Sequence, residues 1–334
     1  MIPFRLHRRI PLIRRPFYQR DRARAEVTQL LHERDELAAE SERRETASTV
    51  QIQALQAQVQ RLRYELGHGP TVECTMPLGS AIPSLRMLKC NNRDQIAYAI
   101  GLHGWKTFEP PMPELFYRLA QQLDGALLDV GANTGFYCLV GAAARHDMKI
   151  LAFEPDPNVL PILRGNLKIN AVDRYAHVFP MALSDSRGDA ELHIPTPEHG
   201  LIETSSSLES DFRTAHSAVI QVPTNTVDHI IEIERPGKVA IIKIDVEGHE
   251  AAVLRGATGT VNSHRPVLFV EVLARADFRS FSQFIYEFGY KDMRLQPNGA
   301  TKARDEVSFD PDAWNHILVP TEKIALVGRC WAMT

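Results

Sequence analysis

The stretch Leu127-Leu128-Asp129-Val130-Gly131-Ala132-Asn133-Thr134-Gly135 decides the fold. Residues 126–130 read as a short buried strand, the two glycines as a tight turn, and 136–145 as the helix that follows. Gly131 lets the backbone pass close to a ligand, and Gly135 lets the helix start against the sheet. The alternation continues outward from there. A helix is expected at 114–123, a strand at 149–153 and a helix at 158–170. Strands follow at 190–194, 219–222, 239–244, 267–272 and 317–319, with a helix at 281–288 between the last two. Such order implies parallel strands joined by right-handed crossovers, in a doubly wound, mostly parallel α/β sheet. Ligands of such sheets bind at the carboxyl ends of the strands.

Glu154, in Ala152-Phe153-Glu154-Pro155-Asp156, stands at the end of the second of these strands. An acid there can accept both ribose hydroxyls of an adenosine. A Gly-rich turn with such an acid suits a dinucleotide as well as S-adenosylmethionine (SAM), so an NAD-dependent oxidoreductase is the competing reading. Two features favour SAM. The loop is Gly-x-Asn-x-Gly in place of Gly-x-Gly-x-x-Gly, and Asp129 sets a carboxylate where a pyrophosphate would be repelled. SAM has no phosphate and carries an ammonium and a sulfonium. Asn133 is expected to offer its amide to the methionine end, and Asp185, in Ala182-Leu183-Ser184-Asp185, to reach the adenine amino group. The plainer alternative is that Asp129 caps the loop through backbone amides and Glu154 is solvated.

A second constellation is Ala240-Ile241-Ile242-Lys243-Ile244-Asp245-Val246-Glu247-Gly248-His249-Glu250, an apolar strand that stops at an acid and turns into a helix. It concentrates ionisable groups beside the place where a methyl group would be transferred, and neighbours of that kind perturb one another's protonation. Methyl transfer to an alcohol needs aligned partners and a group that removes the acceptor's proton. Asp245 and His249 are candidate bases, and Glu247 a group that orients the acceptor. Glu271, closing the next strand, is expected to face the same cleft. Against this stand ordinary roles: Glu250 as a first-turn helix acid, Lys243 as an ion-pair partner, His249 as a helix cap. Asp245, Glu247, His249 and Glu271 could instead hold a divalent metal, a reading given less weight than one with no metal.

In these motifs the chain resembles the FkbM-type methyltransferases. The matching residues are Leu128 to Tyr137, Ala152 to Pro157 with Asn166 and Asn170, Ile242 to Glu250, Val253-Leu254-Arg255-Gly256-Ala257, and Glu271. The resemblance covers about 105–319. It implies a class I SAM-dependent (Rossmann-like) fold and O-methylation of a hydroxyl on a sugar, glycan or other natural product. Glu109, in Thr107-Phe108-Glu109-Pro110, looks like the family's upstream Glu and so joins the expected cofactor-binding set. The family commonly has a small residue where this chain has His249, which shifts weight as shared catalytic group to Asp245 and Glu247.

The remaining sequence sets the frame. With 44% hydrophobic and 24% charged residues and a net charge of -3, the 334-residue chain reads as an ordinary globular protein with no call for a nucleic-acid partner. Its cysteines, Cys74, Cys90, Cys138 and Cys330, form no Cys-x-x-Cys pair, and no apolar run approaches a bilayer span. A cytoplasmic protein is expected. Residues 1–20 are expected to be a basic, flexible, solvated tail, the alternatives being a weak contact with a membrane surface or polyanion and an organelle transit signal. A helical segment is expected at 21–68; Ile52, Leu55, Val59, Leu62 and Leu66 alternate spacings of three and four, as in a coiled coil through which the chain would form a homo-oligomer, the alternative being a helix folded back on the catalytic domain. A linker and extension at 69–104 then leads to a SAM-dependent methyltransferase domain at 105–334. Residues 196–217, rich in Ser, Thr and Glu, read as a surface excursion of the kind that serves as a lid or substrate-binding element, or as a tolerated insertion. A non-catalytic scaffold serving the coiled coil would have lost the loop glycines or Glu154, and all are present.

Overall fold

The computed structural model describes residues 69–90, 93–196, 202, 205–210, 216–296 and 302–332. The expected basic tail and coiled-coil helix, 1–68, lie outside the described residues. The chain enters through an antiparallel hairpin, β1 (Thr71–Thr75) and β2 (Ser84–Leu88), then α1 (Gln95–His103) and α2 (Met112–Gln122). The core alternation follows: β3 (Ala126–Val130), α3 (Phe136–Ala144), β4 (Ile150–Phe153), α4 (Leu160–Ile169) and β5 (Ala176–Phe179). A small sheet comprises β6 (Ala182–Leu183), β7 (Gly188–Pro195) and β8 (His216–Asn225), and α5 (Val227–Glu234) returns the chain to the main sheet. There follow β9 (Val239–Ile244), α6 (Glu250–Arg255), α7 (Thr258–His264), β10 (Val267–Glu271), α8 (Phe278–Phe288), β11 (Tyr290–Arg294), β12 (Asn315–Pro320) and α9 (Ile324–Trp331).

The main sheet has seven strands in the order β11-β12-β10-β9-β3-β4-β5. Pairing is parallel from β10 through β9, β3 and β4 to β5, and antiparallel where β12 enters between β10 and β11. From β3 the chain moves outward to β4 and β5, then crosses to β9 on the other side of β3. Right-handed crossovers taken in opposite directions put their helices on opposite faces of the sheet. The cores show this division residue by residue. Leu127, Ile150, Ala152, Ile241, Val267 and Phe269 belong to one apolar cluster with side chains of α1 to α4 and α9. Their immediate neighbours Leu128, Leu151, Phe153, Ile242, Leu268 and Val270 belong to the other, with side chains of α5 to α8. Successive strand residues point to opposite faces, and both faces are covered, which is why these strands are mostly apolar.

Residues 69–104, expected as a linker and N-terminal extension, pack against the main sheet's helices. Val72, Leu85, Met87, Ala97 and Ile100 are buried in the first cluster. Asn166 of α4 accepts the Leu88 amide at 2.7 Å, and Asn170 accepts the Arg86 amide at 2.9 Å and donates to the Arg86 carbonyl at 2.6 Å. Asp94 starts α1 by accepting the amides of Ile96 and Ala97 at 2.8 and 3.0 Å, replacing contacts that a helix start otherwise lacks. The hairpin and α1 are therefore part of the same folded unit.

Candidate active site

The crevice lies where the order reverses, above the carboxyl ends of β3, β4 and β9. The chain leaves β3 through three positions with positive φ, Gly131 at 73°, Asn133 at 52° and Gly135 at 93°. A side chain at Gly131 would meet the Asp245 carbonyl oxygen at 1.9 Å, so it is the end of β9 that requires glycine here, in addition to any ligand. At Gly135 a side chain would meet Leu163 of α4 at 2.6 Å, in keeping with the expected close start of α3. The amides of Gly131 and Ala132 reach the Phe153 carbonyl at 3.0 and 2.9 Å, and the Asn133 side chain folds back to accept the Thr134 amide at 2.7 Å.

Glu154 fixes this loop from the neighbouring strand. Its Oε2 accepts the Asn133 amide at 2.9 Å and its Oε1 the Asp156 amide at 2.8 Å. Burial pushes its carboxyl up to about 7 despite those donors, so the group is not the solvated surface acid of the plainer reading. It lines the cavity together with Gly131, Asn133, Asp245, Glu247 and His249. An apolar panel, Phe153, Met181, Leu183 and Leu192, continues the wall beyond it.

Beneath the loop sits a buried charge network. Lys243 Nζ donates to the Gly131 carbonyl at 3.1 Å and to Asp245 Oδ2 at 3.0 Å, and lies 4.0 Å from Asp129 Oδ1. Burial opposes its charge, but the carboxylates of Asp245, Asp129 and Glu109 outweigh burial and raise its pKa. Asp129 is wholly buried; its Oδ2 accepts from Cys138 Sγ at 3.1 Å, and burial raises its pKa. Glu109 holds φ at 53° and accepts from the Tyr137 hydroxyl at 2.6 Å. Burial first, then the nearby Asp245, raises its carboxyl. Glu271 is also buried, and burial with the charges of Asp245 and Glu247 raises it well above the usual carboxylate range.

After β9, Glu247 turns the chain at φ 58° and Gly248 at 108°. Glu250 pins this turn, its Oε1 accepting the amides of Val246 and Gly248 at 3.1 and 3.0 Å. His249 is held at both ring nitrogens, Nδ1 lying 2.6 Å from Glu209 Oε1 and Nε2 2.9 Å from Ser184 Oγ. Both ring nitrogens are thus engaged with neighbouring side chains at the edge of the cavity.

Of the expected site residues, Glu109, Gly131, Asn133, Glu154, Asp245, Glu247 and His249 converge on the cavity. Asp129, Gly135, Asp185 and Glu271 are not among its lining residues. Asp129 lies under the loop, because an acid on an inward-facing strand position is covered by α3. Asp185 turns outward, its Oδ2 accepting from Arg255 Nε at 3.0 Å and Nη2 at 2.9 Å, and these bonds lower its pKa. Glu271 lies one shell behind. Among the described residues no set of three His, Cys, Asp or Glu side chains is placed to ligate a metal, so Asp245, Glu247, His249 and Glu271 do not gather as such a set. Sequence reasoning missed Gln95, Tyr137, Asp156, Ser206 and Leu208, which line the cavity from elsewhere in the chain. Only Tyr137 and Asp156 carried a signal, lying inside the quoted motifs. The excursion at 196–217 had been open between a substrate element and an insertion; its described residues Ser206 and Leu208 are walls of the cavity.

The family model for the methyltransferase FkbM domain matches residues 129–293. Hexuronic acid methyltransferase AglP of Haloferax volcanii is 29% identical over 168 residues, 49% of this chain and 62% of that protein. Methyltransferase sdnD of Sordaria araneosa is 26% identical over 153 residues, 39% of this chain and 59% of the relative. The alignments thus span about three fifths of the length of these curated relatives. Among solved structures, the methyltransferase FkbM from Methylobacillus flagellatus matches with 16% identity and a TM-score of 0.40, covering 58% of this chain and 43% of that one. An O-methyltransferase from Bacillus cereus solved with SAH matches with 12% identity and a TM-score of 0.36, over 63% of this chain and 81% of the other. Residues 129–293, within which the strand-end acids and loop glycines gather at one cavity, match the methyltransferase FkbM domain.

Proposed function

We propose that the protein is a SAM-dependent methyltransferase that methylates a hydroxyl of a sugar, glycan or other natural product. The observation that carries this reading is the convergence of Gly131, Asn133 and Glu154 with Asp245 and Glu247 around one cavity. The donor set fits the cofactor. Glu154 is buried at the strand end with its carboxyl fixed by two amides, where it can receive ribose hydroxyls, and the panel of Phe153, Met181 and Leu183 suits an uncharged aromatic base. Among the described residues Lys243 is the only lysine or arginine that lines the cavity, and it is committed to Asp245 and the Gly131 carbonyl. A wall so rich in carboxylates suits an ammonium and a sulfonium and repels a pyrophosphate. Bound there, SAM would supply a methyl group activated by its sulfonium.

This chain's own residues would do the rest. Asp245, held by Lys243 with its carboxylate at the cavity, is placed to take a proton from an acceptor hydroxyl. Glu247, on a turn fixed by Glu250, is placed to orient that hydroxyl. The named activity of AglP, on a hexuronic acid, supports a sugar-derived acceptor. Titration calorimetry with SAM, SAH and NAD tests the cofactor: SAM and SAH should bind, and NAD binding without SAM binding would replace this reading with an oxidoreductase. Comparison of glycan and metabolite extracts with and without the gene should then reveal a product one methyl group heavier.

A further inference from the structure

Four consecutive side chains of the excursion between β7 and β8 meet different walls of the cavity. Ser206 Oγ donates to Asp156 Oδ2 at 2.7 Å. Ser207 Oγ donates to the Glu247 carbonyl at 2.8 Å, while its backbone pairs with His193 of β7 in both directions, at 2.8 and 3.1 Å. Leu208 joins the apolar panel of the lining. Glu209 closes the series on His249.

A carboxylate only accepts, so His249 Nδ1 carries the proton toward Glu209, while Nε2 lies 2.9 Å from Ser184 Oγ. The imidazole thereby bridges the end of β6 and the excursion. Although Ser, His and acid stand in the order of a nucleophile relay, Ser184 is 7% exposed, is absent from the cavity lining, and spends its amide on the Asn225 carbonyl. The arrangement holds a wall in place. It does so on the half of the cavity that carries Glu154, because Asp156, which receives Ser206, donates its own amide to Glu154.

We infer that His249 is a positioning residue: clamped between Ser184 and Glu209, it holds residues 205–210 as a wall of the cofactor compartment and so sets the affinity for SAM and SAH. The inference rests on the SAM reading of the cavity. It assigns His249 a part that needs no contact with the transferred group.

SAH is the probe, because its binding requires no acceptor. Calorimetric titration of the full chain should show His249→Ala and Glu209→Ala each weakening SAH roughly tenfold, the scale of one charge-assisted hydrogen bond. The double variant should be about as weak as either single one, since both break one clamp. His249→Gln should recover most of the affinity, its amide donating to Glu209 and accepting from Ser184. Thermal melts report whether each variant is folded. Should His249→Ala fail to fold, Glu209→Ala, at an exposed carboxylate, and His249→Gln carry the comparison. SAH affinity within about twofold of wild type in folded His249→Ala or in Glu209→Ala overturns the inference, as does additivity of the two losses. If the wild-type protein itself does not bind SAH, the cofactor reading fails and the inference goes with it.

Discussion

At the scale of single residues, the site depends on positions where the backbone leaves no room. Gly131 combines φ of 73° with a Cβ direction that ends 1.9 Å from the Asp245 carbonyl oxygen. Gly131→Ala must therefore separate the ends of β3 and β9, and is expected to cost about 2–4 kcal/mol, read as a lower urea midpoint with unchanged slope. Asp245 presents a different balance. Its carboxylate faces the cavity and is tied to Lys243, so Asp245→Asn keeps the shape and loses the proton acceptor. Turnover should fall by roughly a hundredfold or more while SAM affinity changes little. Unchanged turnover in a methyl-transfer assay would take Asp245 out of the mechanism. Much of this was legible in the sequence. Strand-end acids and loop glycines are local patterns, and local patterns point to Glu154, Asp245 and Glu247, all of which line the cavity. The sequence could not tell which acid faces in, since Asp129 and Asp245 each close a strand and only the layer of helices above them buries one and opens the other.

At the scale of elements, the alternation of strands and helices was readable because the central strands β3, β4, β9 and β10 are covered on both faces and so are mostly apolar. The strands at Ala126–Val130 and Val239–Ile244 have the expected bounds, and the helix starting at Phe278 was expected only from 281. The hairpin of β1 and β2 was not seen. Its strands are short and alternate buried with exposed residues, and its partner is a helix some eighty residues later, met through asparagine side chains. Asn166 ties the hairpin to the loop after β3, accepting the Leu88 amide and donating to the Thr134 carbonyl, each at 2.7 Å. Asn166→Ala leaves both groups without that partner and is expected to cost about 2–4 kcal/mol. Faster hydrogen exchange at Leu88 than at the β4 amides would show that the hairpin has come loose from α4; equal protection would assign the tie elsewhere.

At the scale of the whole molecule, the notable feature is how many acids the fold buries with raised pKa. Asp94 is pushed up to about 6, and Glu154 and Glu250 to about 7, in each case chiefly by burial. A carboxyl with a raised folded-state pKa binds its proton more tightly when folded. Its stabilising share is complete below the unfolded value near 4.5 and is lost as pH rises through about 7. Stability measured by urea denaturation should accordingly decline from about pH 5 to pH 8. Glu250→Gln, which keeps an acceptor for the Val246 and Gly248 amides, should flatten that decline by up to about 3 kcal/mol. A wild-type profile that rises over the same range would contradict the burial of these acids. Among the described residues no helix is long and apolar enough to cross a membrane.

The sequence by itself determined the parallel α/β sheet, the glycine loop and the acids at the strand ends, because each is encoded within a strand and the turn that follows it. The tertiary structure decided which of those acids line the cavity, that Asp185 pairs with Arg255 instead, that His249 is spent on Ser184 and Glu209, and that the excursion forms a wall. These depend on contacts between residues tens of positions apart. Only the packed layers of helix and sheet bring such residues within hydrogen-bonding distance.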